Sequence, residues 1–300
     1  MYTISEAADR AGVTSELLRA WERRYGVVTP RRTAAGYRLY DERAIARVRA
    51  MRSLVDEGWT PSAAADHLRQ LSDDDLPTAT PHGRLDEADG VAEALVAAFV
   101  EAAARMDRAG IQAFLDDVSA RGSFETAVER YVFPALRALG DAWSRGIVSV
   151  AAEHAASAAV ARWLGIAYES AAARGRGQSV VIGLPPGARH ELGALAFATA
   201  CRRGGLNIHY LGADLPVADW VHAVRATDAE GVVIAVPTAD DVAPARRVAT
   251  AVRRASPDVL VLFGGPGSGA MPRGSTLQNG LAEAAVELQA TLADREGVTN

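Results

Sequence analysis

His190 carries an imidazole, a side chain able to bind a transition metal, in the polar loop PPGARHELG three residues before Gly193. Taken alone, a loop histidine is more often a surface residue than a ligand. A second set of residues lies upstream in WSRGIVSVAAEH, where Trp143 offers a large flat apolar face and Glu153 and His154 place an acid beside an imidazole. On one unbroken helix, at about 100° and 1.5 Å per residue, Trp143 and Glu153 would point to different faces roughly 15 Å apart. Gly146 and the β-branched pair Ile147-Val148 predict a break between them. Trp143 then ends one helix, Glu153 and His154 ride on the next, and the two can converge on one object. The alternative is a core tryptophan and a solvent-facing Glu-His pair.

A third set is basic. Between Arg19 and Arg52 there are ten arginines against three acids, in a chain whose net charge is −5. A compact basic segment in an acidic protein suggests a nucleic-acid footprint, the alternative being a solvated arginine-rich face. The chain has no lysine, which reads as compositional bias. The single Cys201 cannot form an internal disulfide, which fits a reducing cytoplasm. No apolar run reaches the length of a membrane span and the start of the chain, MYTISEAADR, has no signal core, so a cytoplasmic protein that does not engage a membrane is expected.

The elements that must position these residues fall into parts. Residues 1–72 predict a helix capped by Ser5, a turn at Gly12-Val13-Thr14, and a second helix, SELLRAWERRYG, ended by Gly26. Helix, glycine turn, helix is helix-turn-helix geometry, with the second helix suited to a major groove and Arg19, Arg23 and Arg24 within reach of phosphates or guanine edges. TPRRTAAGYRLYDE reads as a hairpin turning at Ala35-Gly36, and two more helices follow. Residues 73–90 read as a flexible or extended linker, with Pro77, Pro81, Gly83 and Gly90 and no apolar period. Residues 91–175 hold four segments with apolar side chains at three- and four-residue spacing, a four-helix bundle in which Pro134 kinks a helix or starts one. In residues 176–300 short β-branched strands alternate with helices, which predicts a doubly wound, Rossmann-like parallel sheet. Ligands in such sheets sit beyond the strand C-termini, an edge that here carries PPGARHELG, LGADLP, AVPTADD and GGPGSG. The whole is a multidomain α and α/β chain.

The opening pattern, the arginine pair after Pro30 and GYRLYDE followed by an arginine-bearing helix resemble the DNA-binding domain of the MerR family. The resemblance implies a winged helix-turn-helix that binds double-stranded, pseudo-palindromic operator DNA as a dimer. It places Arg19 and Arg23 on the recognition helix, and Tyr37 and Arg38 in a wing that touches backbone phosphate. The alternative for Tyr37 is a residue that packs the hairpin, and Trp21 reads as a core residue more than a DNA contact.

From Gly193, forty-one residues lead to Ala235-Val236-Pro237, and twenty-six more lead to Gly264-Gly265. These separations are similar to the cobalamin-binding signature of Asp-x-His-x-x-Gly, Ser-x-Leu and Gly-Gly. A bundle before a doubly wound domain is also the arrangement of the cobalamin-binding module of methionine synthase. The resemblance implies that His190 ligates cobalt in place of the cofactor's own base, while Gly193, Ala235, Gly264 and Gly265 leave room for the displaced nucleotide tail. Ala188, Ala235 and Pro237 depart from the pattern: its acid, its serine and its leucine are missing. The acid and the serine ordinarily orient the histidine and tune its basicity, and Glu191 cannot be assumed to substitute.

A MerR-type reader, a bundle and a cobalamin fold in one chain resemble the light-sensing repressors of carotenoid genes, the CarH or LitR type, whose bundle carries Trp, nine residues, then Glu-His. Trp143, Glu153 and His154 match that spacing. The likeness to this type implies a cap over the upper face of adenosylcobalamin, a tetramer that binds DNA in the dark, and release in light. Ser144 stands where this type can carry a histidine that captures cobalt after the upper group leaves. Two further readings stand beside this one. The pocket of a MerR-type regulator could take another tetrapyrrole or small ligand, or cobalamin without light sensing. An enzymatic methyl carrier or mutase subunit would have no DNA-binding domain and would want the missing acid, so a protein that is not an enzyme is expected.

Overall fold

The computed structural model describes residues 1–11, 13, 15–32, 38–56, 61–70, 81–171, 177–272, 274–277 and 280–299. They form two compact units, Met1–Val91 and Ala92–Asn300.

In the first unit, α1 (Ile4–Ala11) and α2 (Ser15–Tyr25) precede a short antiparallel pair, β1 (Arg31–Arg32) with β2 (Arg38–Leu39). α3 (Glu42–Asp56) and α4 (Pro61–Gln70) follow. The cap of α1 is Thr3 and not the expected Ser5, which lies inside the helix. Thr3 N and Thr3 Oγ1 donate to Glu6 Oε2 at 2.8 and 2.9 Å, and Glu6 N donates back to Thr3 Oγ1 at 3.4 Å. This reciprocal capping box satisfies donors that the helix itself leaves open. Leu18, Trp21, Ile45, Met51 and Leu68 are buried together, so Trp21 packs the core as its apolar neighbours predict.

The second unit begins within α5 (Pro81–Ala104). Residues 81–90, expected as extended linker, are helical and continuous with the first bundle helix. Pro81 occupies the helix start, where its missing N–H costs nothing, and the Ala, Leu and Glu that follow outweigh the two glycines. Next come α6 (Arg108–Ser119), α7 (Phe124–Ala127), a π-helical turn (Val128–Val132), α8 (Phe133–Ser144) and α9 (Val150–Ser170). The π turn ends just before Pro134. Proline has no N–H to donate one turn back, and the widened turn absorbs the defect without ending the helix.

Four parallel strands complete the unit: β3 (Ser179–Gly183), β4 (Asn207–Tyr210), β5 (Gly231–Ala235) and β6 (Leu260–Gly264), in the order β4-β3-β5-β6. They alternate with α10 (Leu192–Arg203), α11 (Val217–Ala226), α12 (Val242–Ala255) and α13 (Leu281–Thr299). Alternate strand residues feed two cores. Val180, Ile182, Val233 and Leu262 face the core that runs into the bundle through Leu115, Val132 and Leu164. Val181, Val232, Ile234 and Phe263 face α11 and α12 through Trp220 and Val248. Bundle and sheet therefore share one interior.

Candidate functional site

The strand order reverses direction between β3 and β5, which places a crevice beyond their C-terminal ends. A cavity of about 550 Å³ opens there. The sheet edge supplies His190, Gly193, Ala235, Gly264 and Gly265 to its wall, and the bundle supplies Glu129, Phe133, Leu136 and Arg137. Sheet-edge residues spread over more than seventy positions thus meet around one space, of a size usual for ligand sites. Nothing in their spacing marks the four bundle residues; the π turn and α8 bring them to the cavity.

The glycines do different work. A Cβ on Gly193 would meet nothing within 4 Å, and one on Gly264 would find only Val233 Cγ1 at 4.0 Å. Both keep open space open. Gly265 has φ +97°, and a Cβ there would lie 2.9 Å from Val236 O. Gly267 is tighter still, at 2.4 Å from Thr238 O. These two let the GGPGSG loop lie against the loop after β5.

His190 is exposed at the rim, and among the described residues nothing hydrogen-bonds its ring. Ala188 is buried against Leu184 and Ala194. Glu191 does not serve His190, because its Oε2 accepts from Tyr210 Oη at 2.9 Å. That contact and burial, the larger cause, push the Tyr210 phenol well above its ordinary range. The loop itself is held by Asp214, whose Oδ1 accepts from Gly187 N at 2.6 Å. Among the described residues no three His, Cys, Asp or Glu side chains converge, so a metal reaching His190 would bring most of its ligands with it.

The break between Trp143 and Glu153 is present: Gly146 takes φ +73°, and Ser149 caps α9 through Ala152 N at 3.2 Å. Trp143 is 49% exposed, so it is not a core tryptophan. Ile147 and Val150 are exposed beside it in sequence. Trp143, Glu153 and His154 do not line the cavity itself. Glu153 sits in the first turn of α9, where the helix dipole favours an anion. Its Oε1 accepts from Ser157 Oγ at 2.6 Å and its Oε2 lies 2.5 Å from His154 Nδ1. Burial raises the Glu153 carboxyl, but these bonds and the nearby imidazoles of His154 and His190 outweigh it and leave the group below its usual range.

In the first unit, Arg19 and Arg23 are exposed on α2, one turn apart on the same side. Arg38 is not a free wing residue. Its Nε donates to both carboxylate oxygens of Glu22 at 3.1 Å, and Glu22 Oε2 also accepts from Tyr40 Oη at 3.1 Å. The hairpin is thereby tied to the back of α2. Tyr37 and the expected turn at Ala35-Gly36 lie outside the described residues.

A family model for MerR helix-turn-helix regulatory proteins matches residues 2–71, and two B12 binding domain models match residues 95–168 and 163–294. The chain is 37% identical over 225 residues, 75% of each chain, to the HTH-type transcriptional repressor CarH of Myxococcus xanthus. It is 28% identical over 217 residues to the repressor CarA of the same organism, covering 72% of this chain and 69% of CarA. The monomethylamine corrinoid protein of Methanosarcina barkeri shares its fold, with TM-score 0.54 and 15% identity over 64% of this chain and 96% of that one. No described helix is long and apolar enough to cross a membrane. A MerR helix-turn-helix unit joined to a cobalamin-binding fold, with 37% identity to a repressor over three quarters of both chains, makes this chain a transcriptional regulator that belongs to the CarH family of MerR-type repressors with B12 binding domains.

Proposed function

We propose that the chain is a cytoplasmic, light-responsive repressor that uses adenosylcobalamin as its chromophore, holds operator DNA in the dark and releases it in light. The observation that supports this reading best is the 550 Å³ cavity walled by His190, Gly193, Ala235, Gly264 and Gly265 on one side and by the bundle on the other. His190 would ligate the cobalt, and the open space at Gly193 and Gly264 would leave room for the nucleotide tail. When bound, the cofactor supplies a cobalt–carbon bond that light breaks. Trp143, beside the cavity, would cover the cofactor's upper group against water, and Glu153 with His154 would hold its polar edge. Because Trp143 lies in the last turn of α8 and Glu153 in the first turn of α9, the presence of an upper group would bear on how these two helices pack. On the DNA side, Arg19 and Arg23 meet base edges or phosphates and Tyr37 and Arg38 the flanking backbone, in a dimer on each operator and a tetramer in the dark.

A second reading keeps DNA binding and cobalamin but removes light sensing. It is favoured by the unassisted ring of His190, by Ala188 and Ala235, and by Ser144, whose Oγ is turned back to Asp141 O at 2.8 Å. The absorption spectrum of protein loaded with adenosylcobalamin in the dark, taken before and after green light, separates the two. A light-induced change that is lost in His190→Ala, together with light-dependent release of bound duplex DNA, is the expected result. Stable loading with no light-dependent release selects the second reading, and no loading at all removes both.

A further inference from the structure

The face of the sheet opposite the bundle carries a shallow, open groove formed by α11 and α12. Arg225, Arg246, Arg247 and Arg254 line it, and Thr250, Ala251 and Ala255 are its small floor. No acid lines it. Arg225 and Arg246 are anchored, donating through Nη2 to Ala255 O at 3.3 Å and Ala270 O at 2.6 Å. Among the described residues neither Arg247 nor Arg254 has a hydrogen-bond or ion-pair partner. A cation in the last turn of a helix is ordinary, and that accounts for Arg254. Arg246 and Arg247 lie in the second turn of α12, beyond the reach of that effect.

We propose that this groove is a second DNA contact, which takes the phosphate backbone of duplex flanking the stretch read by the helix-turn-helix unit. The chain as a whole is acidic, at −5, so DNA gains nothing from its average field. Duplex DNA carries one negative charge per about 1.7 Å of axis, and four guanidiniums without an acid reverse the sign locally. Arg247 and Arg254 are two helical turns apart on one face, roughly 10 Å along the axis, and can grip successive parts of a phosphate ridge. The alanine floor lets that ridge approach. Once the reader unit is on DNA, the second contact is intramolecular, so even a weak one counts. Phosphates carry no base identity, so a contact made to them is independent of sequence.

The test uses the full chain and a random-sequence duplex of roughly 60 base pairs, with affinity followed by fluorescence anisotropy across a salt series. R247Q/R254Q should lower the slope of log affinity against log salt by about two, close to 0.9 per lost phosphate contact. R247E alone should lower it by at least about one. R105Q/R108Q removes the same formal charge at the end of α5 and the start of α6, and its slope should match wild type. An unchanged slope in R247Q/R254Q overturns the proposal. So does an equal fall in the control pair, which would mean that only bulk charge was being read.

Discussion

The carboxylate of Asp214 accepts the Gly187 N–H at 2.6 Å, so the loop after β4 clasps the loop that carries His190. Asp214 N returns a bond to Ala188 O at 3.0 Å, and Leu184 N donates to Gly212 O at 2.9 Å. Asp214 adopts φ +55°, a conformation that asparagine tolerates and alanine does not favour. The clasp steadies the His190 loop where Ala188 supplies no acid to do so. Asp214→Ala should weaken hydroxocobalamin binding about tenfold, the worth of one charge-assisted hydrogen bond, while Asp214→Asn stays near wild type. Spectroscopic titration measures both; equal affinity in the alanine variant would show that the loop keeps its shape unaided.

Trp143 is half exposed, so its removal creates no core cavity. Trp143→Ala should change unfolding free energy by less than about 0.5 kcal/mol, against the ~3–5 kcal/mol of a truncated core tryptophan. The same variant should bind adenosylcobalamin more weakly and hydroxocobalamin nearly as wild type, and its dark oligomer should be smaller by size-exclusion chromatography. Equal loss for both cofactor forms would end the capping role.

Arg19→Ala should cost ~1–3 kcal/mol of operator binding if the guanidinium makes a bidentate base contact. Arg38→Ala should weaken binding to every duplex alike, but its pairing with Glu22 leaves two causes open to separation. Glu22→Gln distinguishes them by anisotropy. If Arg38 acts on phosphate, removing the acid preserves or strengthens binding; if Arg38 serves only to hold the hairpin on α2, Glu22→Gln loses affinity as Arg38→Ala does.

Glu129, on the π turn, caps α13 by accepting the Leu281 N–H. Burial raises its carboxyl above the ordinary range, the Leu281 bond opposes this, and Glu283 and Glu125 add to the rise. A raised carboxyl holds its proton in the folded chain at a pH where the unfolded chain has lost it. Its favourable contribution is therefore complete below the ordinary carboxylate range near about 4.3 and is lost as pH climbs through the raised value. Glu129→Gln keeps an acceptor oxygen and removes the titration. The melting temperature of wild type relative to this variant should fall as pH rises across that window, and a difference flat with pH would show the group unshifted.

The sequence alone determined most of the elements and their kinds. Apolar period separated bundle from sheet, glycine and proline marked the turns, and the spacing from His190 through Gly193 to Gly264-Gly265 announced a cobalamin-like edge. These signals are local or depend on linear separation, which a chain displays directly. Tertiary packing decided the rest. It brought Glu129, Phe133, Leu136 and Arg137 to the cavity wall, because a helix shows which residues are apolar but not which neighbour its face will meet. It bound Arg38 to Glu22, sixteen residues away, and Gly187 to Asp214, twenty-seven away. The extension of α5 back to Pro81 was missed for a different reason: it is local, since the polar sequence there does not forbid a helix. Trp143 shows the division most plainly: its distance from Glu153 in the chain was readable, but whether its indole faced core or solvent depended on how α8 and α9 came to pack.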